Sequence, residues 1–97
     1  MSKLTINYDR KYDILYVDAP SDEPTYGEEN GNGLVTFLGV ETDSVLGFLL
    51  EDFKKRFLGN TIDENSLPLR FNLNDPAILS IISDNSRDYK ATISVQT

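Results

Sequence analysis

Two closely spaced carboxylate pairs, Asp9 with Asp13 and Asp18 with Asp22, have the residue type and spacing that suit acid–base work, one carboxyl giving a proton while the other takes one. Asp9 and Asp13 also flank Arg10-Lys11-Tyr12, and turn aspartates that accept backbone N–H groups account for both without any catalysis. The structural reading is the stronger one, so no residue is assigned a catalytic role. Histidine and cysteine are both absent. That removes the commonest general base, every thiolate nucleophile and the commonest zinc ligands. An enzyme built from this chain would have to run on carboxylates, tyrosine, hydroxyls, lysine or arginine, and the chain is read as a non-enzyme.

The run Glu28-Glu29-Asn30-Gly31-Asn32-Gly33 has oxygen-bearing side chains and a glycine at its sixth position, like the start of a calcium loop. Its twelfth position is Gly39, where a bidentate glutamate is required. It also lacks the Lys-Ser/Thr ending of a phosphate loop, so neither metal nor cofactor is expected. Tyr8, Tyr12, Tyr16 and Tyr26 are enough aromatics for a binding face, but in hairpins such residues more often pair across strands. Lys54-Lys55-Arg56 is a basic triplet in an otherwise acidic chain, and its place late in a predicted helix suits the helix dipole better than a nucleic-acid contact.

The remaining cluster is acidic. Asp18, Asp22, Glu23, Glu28 and Glu29 fall in a run with no lysine or arginine, and together they form a candidate interaction patch. The first half of the chain sets Asp9, Asp13, Asp18, Asp22, Glu23, Glu28, Glu29, Glu41 and Asp43 against only Lys3, Arg10 and Lys11. A formal net charge of −7 opposes direct binding to nucleic-acid phosphates or anionic membranes and favours a basic protein surface as partner.

The elements that must position these residues are legible from periodicity. Leu4, Ile6 and Tyr8 alternate with Thr5 and Asn7, and Ile14 to Val17 is aromatic and β-branched, so residues 3–19 read as a hairpin. Ser21–Gly33, with Pro24, Gly27, Gly31 and Gly33, reads as a surface loop with room for a short edge strand near Thr25-Tyr26. Leu34–Leu38 and Val45–Leu50 form a second hairpin. In residues 51–60 acids come first, bases later and Gly59 last, which predicts a helix near 51–58 ending in a left-handed glycine cap. Phe53 and Phe57 share one face of it.

Leu67, Leu69, Phe71 and Leu73 alternate with Pro68, Arg70 and Asn72, which predicts a strand around 67–73 at an edge. Asn74-Asp75-Pro76 is a helix-start signal, yet Ala77–Ile82 is too short to decide between helix and strand. A loop is expected at Asp84–Arg87, followed by a cleanly alternating strand at 88–96. The whole is predicted to be α+β: an antiparallel β-meander of two hairpins, a short helix, and a C-terminal extension adding one or two strands. Ninety-seven residues with 39% hydrophobic and 26% charged content suit one folded domain. No apolar run is long enough to span a bilayer and the N-terminus lacks a signal-like block, so a cytoplasmic location is expected.

Within residues 4–57, Ile6-Asn7-Tyr8-Asp9, Asp13-Ile14-Leu15-Tyr16-Val17, Gly33-Leu34-Val35 and Gly47 with Phe48 to Asp52 occur in an order that resembles the domain of unknown function 2283 family of small bacterial proteins. That resemblance implies a four-stranded antiparallel meander with a helix, and no established activity or catalytic residue. Two positions depart from it: Leu49 stands where the family usually has an acid, and Leu38-Gly39-Val40 where it usually has an acidic turn. Residues 1–58 are then the family-like core and 59–97 an extension of the same domain, expected to cover a sheet face that would otherwise be bare.

A non-enzymatic protein-binding module is the function this pattern favours. The alternatives are a self-associating homodimer that buries its second sheet face, and an acidic nucleic-acid mimic inhibiting a nuclease or defence system.

Overall fold

The computed structural model describes residues 3–83 and 88–94. Six strands form one antiparallel sheet: β1 (Lys3–Asp9), β2 (Ile14–Asp18), β3 (Thr25–Glu29), β4 (Leu34–Gly39), β5 (Val45–Glu51) and β6 (Tyr89–Ser94), in the spatial order β3-β4-β5-β2-β1-β6. Both expected hairpins form, β1 with β2 and β4 with β5, and they join where β2 pairs with β5. The α+β class stands. The segment read as a surface loop holds a full edge strand, β3, which pairs with β4 from Thr25↔Gly39 to Glu29↔Val35.

Directly opposed residues share a face of a sheet, so the registers sort every side chain. One face carries Leu4, Ile6, Tyr8, Leu15, Val17, Phe48, Leu50 and Ile93, all buried. Over it lie α1 (Phe53–Leu58), a single 3₁₀ turn at Glu64–Ser66, the irregular segment 67–75 and α2 (Pro76–Ser83); α1, the irregular segment and α2 contribute Phe53, Leu67, Phe71, Ile78 and Ile81 to the same core. Phe48 and Phe71 stack with ring centroids 6.3 Å apart, which ties the extension to the middle of the sheet.

Three local expectations are corrected. Residues 67–73 form no strand, although their burial alternates as read: Leu67 and Phe71 are buried, while Arg70 and Asn72 are exposed. The segment packs on the sheet's face, and only an edge offers a ladder partner. The left-handed residue that closes α1 is Asn60, with φ 56°, while Gly59 is right-handed with φ −81°. No acid occupies the first turn of α1, whose N-terminus is capped from elsewhere in the chain.

The undecided run Ala77–Ile82 is helical. Asp75 Oδ1 accepts the Ala77 N–H at 2.9 Å and Pro76 takes the first helical position, where its missing N–H is not needed. The predicted last strand appears as β6 beside β1; the expected loop at 84–87 and the strand end at 95–96 lie outside the described residues.

Candidate functional site

The second face of the sheet has no layer over it among the described residues. One cross-strand row runs through all six strands as Lys90–Asn7–Tyr16–Leu49–Val35–Glu29, and the next runs Thr92–Thr5–Asp18–Gly47–Phe37–Gly27. Ile14, Tyr16, Val35, Phe37 and Leu49 therefore lie together on this open face. None of them joins the core cluster, and each is partly exposed. Around this apolar centre the outer strands supply polar residues: Lys3, Thr5, Asn7, Lys90 and Thr92 on one side, Glu29 and Thr25 on the other.

The sequence produces this arrangement through a change of pattern between inner and outer strands. β1 and β6 alternate apolar with polar residues, as strands covered on one face do. β2 reads Ile-Leu-Tyr-Val, and β4 and β5 are apolar at both parities, the pattern of strands covered on both faces. The described residues cover only one. The surface lacks bare backbone at its glycines: a Cβ on Gly27 would stand 3.2 Å from Val35 Cγ1 and 3.5 Å from the Phe37 ring, so those side chains already lie across it. Asp18 likewise folds over Gly47, where a Cβ would stand 2.7 Å from Asp18 Oδ1. Lost hydration in that position raises the Asp18 carboxyl above the ordinary aspartate range, although the residue as a whole remains exposed.

The five acids of the candidate patch are dispersed. Asp18 and Glu29 lie on the open face, and Glu28, next in sequence to Glu29, points to the opposite one. Glu23 is engaged in structure, its Oε1 accepting the Glu41 and Thr42 N–H groups at 2.8 Å each and its Oε2 the Thr42 hydroxyl at 2.9 Å. It thereby fastens the β4–β5 turn to the segment before β3. Asp22 is exposed in that segment.

Of the two carboxylate pairs weighed for acid–base work, Asp9 and Asp13 have structural partners. Asp9 Oδ1 accepts the Tyr12 N–H at 3.3 Å within the β1–β2 turn. Asp13, left-handed at φ 54°, reaches across to α1: its Oδ1 accepts Lys54 N–H at 2.8 Å, its Oδ2 Lys55 N–H at 3.3 Å, and its carbonyl Phe53 N–H at 3.0 Å. The same Oδ1 accepts the buried Tyr8 hydroxyl at 2.6 Å. Burial first, and then this bond, push the Tyr8 phenol far above its ordinary range, so it stays protonated.

The tyrosines do not share a face. Tyr8 is in the core, Tyr16 on the open face, Tyr12 in a turn beside Lys11, and Tyr26 on the edge strand donating to Asp43 Oδ1 at 2.8 Å. In the basic triplet, Arg56 is held by the carbonyls of Glu51 at 2.8 Å and Asn32 at 2.6 Å. It pins the β3–β4 loop, where Gly33, at φ 78°, leaves room that a Cβ would take from Arg56 Nη2. Beside this pin lies a groove of about 630 Å³ lined by residues that include Asn30, Leu34, Arg56, Ile62, Asp63 and Ser66. It is shallow and broad.

Among the described residues no group of three His, Cys, Asp or Glu is placed to hold a metal ion, and no buried side-chain polar atom lacks a hydrogen-bond partner. No described helix is long and apolar enough to cross a membrane. No protein-family model matches the chain, and no match was found among curated proteins or solved structures.

Proposed function

We propose that this chain is a non-enzymatic protein-binding module whose docking surface is the open face of the sheet. The observation that carries the reading is the apolar cluster of Ile14, Tyr16, Val35, Phe37 and Leu49 on a face that no other described residues cover, in strands whose composition suits cover on both sides. Its anatomy, an apolar centre with a polar rim, is that of a protein interface. The face carries acids at Asp18, Glu29 and Glu51 and lysines at Lys3 and Lys90, so a partner that sets basic residues opposite the acids gains electrostatically.

The test is affinity capture from the native cell with the parent chain and two variant baits. Leu49→Lys places a charge at the centre of the open face and is expected to lose the captured partner. Asp22→Asn with Glu28→Gln, which removes acids placed away from that face, is expected to keep it. Loss in the second bait and retention in the first would move the docking site to the acidic segment and reject the face.

A further inference from the structure

Along the central row of the open face the charges stand with opposite signs at opposite edges, while Asp9 lies on β1 and Asp18 and Glu51 on the two middle strands. In the central row Lys90 stands on β6 at one edge and Glu29 on β3 at the other, with Tyr16 and Leu49 on the two middle strands. A second copy turned by a two-fold axis parallel to the strands, passing between β2 and β5, lays β3 over the partner's β6 and β2 over its β5. Each Glu29 then meets a Lys90, and Tyr16 and Leu49 meet each other twice at the centre.

A two-fold axis across the strands would instead lay each edge on its own copy, lysine over lysine and glutamate over glutamate. The area is adequate for the first arrangement. Six strands about 4.8 Å apart and five to seven residues long give a footprint of roughly 600 Å², of the order of the ~800 Å² per partner in standard interfaces.

From this self-complementary layout we infer that the occupant of the open face is a second copy of this chain, packed face to face as a two-fold β-sandwich with Glu29 opposite Lys90. The inference rests on the open face being the docking surface, and it adds the identity and orientation of the partner.

Sedimentation equilibrium at about 100 µM is expected to give a dimer for the parent and a monomer for Leu49→Lys. Glu29→Lys and Lys90→Glu sit at the edges, away from the core. Each alone is expected to weaken dimerisation by about five- to tenfold at low salt, and the double variant to restore it.

The chain has no cysteine, so orientation can be read by cross-linking. A bis-maleimide of about 10 Å, the spacing of packed sheets, is expected to join Glu29→Cys to Lys90→Cys in a mixture and neither variant to itself. A parent that is a strict monomer overturns the second copy and leaves the face to the capture experiment. A dimer that survives Leu49→Lys, with no cross-link formed, overturns the open face as the contact as well. Cross-linking of Glu29→Cys to itself overturns the orientation.

Discussion

At the residue scale, Asp13 and Asp18 show how differently one side chain type is used. Asp13 takes a left-handed backbone conformation in order to turn its carboxylate toward the first N–H groups of α1 while also accepting the Tyr8 hydroxyl. Asp13→Ala removes the cap, leaves a buried hydroxyl unpaired and strains the backbone, and is expected to cost about 2–4 kcal/mol in urea unfolding. Asp13→Asn keeps an acceptor and tolerates the conformation, so its loss should be markedly smaller. Asp18 has the opposite effect on stability. Its raised carboxyl means that the folded chain holds a proton the unfolded chain has already shed at the same pH. Its contribution is complete below the unfolded value and is lost as pH rises through the folded one. Asp18→Asn is therefore expected to raise the urea midpoint at neutral pH relative to the parent, with the difference shrinking toward about pH 3. A difference of constant size across that range would mean that the charge is fully hydrated. That Asp9 and Asp13 serve turns was legible in the sequence; that Asp13 caps a helix 40 residues away was not, because the contact depends on β2 pairing with β5.

At the element scale, the clearest strands were read from their alternation and the helix start at Asp75-Pro76 from its capping residues, since both signals are local. The strand read at 67–73 failed for a specific reason. Alternation reports which side chains are buried, and it holds here, but a ladder also needs a free edge. Both edges of the sheet are elsewhere, at β3 and β6. Among the described residues the N–H groups of Leu69 to Leu73 find no partner in the protein. Their amides are thus expected to exchange with deuterium far faster than those of β1, while Phe71→Ala, in the same segment, is expected to cost about 3–5 kcal/mol because the ring is buried against Phe48. A fast backbone carrying an essential side chain is the pattern that separates a surface-crossing segment from a strand. β3 was underestimated for the converse reason. Thr25-Tyr26-Gly27-Glu28-Glu29 is acidic and exposed throughout, and it is a strand because β4 offers it a complete ladder and Phe37 covers its glycine.

At the scale of the whole molecule, the sheet has two apolar faces and the described residues supply one cover. Leu67, Phe71, Ile78 and Ile81 lie over one face, but Leu49, the departure that suggested a cover, belongs to the other. Leu50, not Leu49, points into the extension's side of the sheet. A one-residue difference in register decides between them, and alternation cannot supply it where both parities are apolar. The two faces should therefore respond differently to loss of cover. Ending the chain after Gly59 would remove Leu67, Phe71, Ile78, Ile81 and Ile93 from the core and lay Leu4, Ile6, Leu15, Val17 and Phe48 open to water. It would also remove β6 and expose the edge of β1. Such a truncation is expected to lose the cooperative calorimetric unfolding transition and to bind an apolar dye strongly, the behaviour of a chain that keeps hairpins without fixed packing. Leu49→Lys, which charges the open face without touching that core, is expected to keep a cooperative transition and to bind far less dye than the truncated chain. If the truncated chain instead unfolded cooperatively, the two hairpins and α1 would be a complete domain, and the extension would be a cover that the fold does not need.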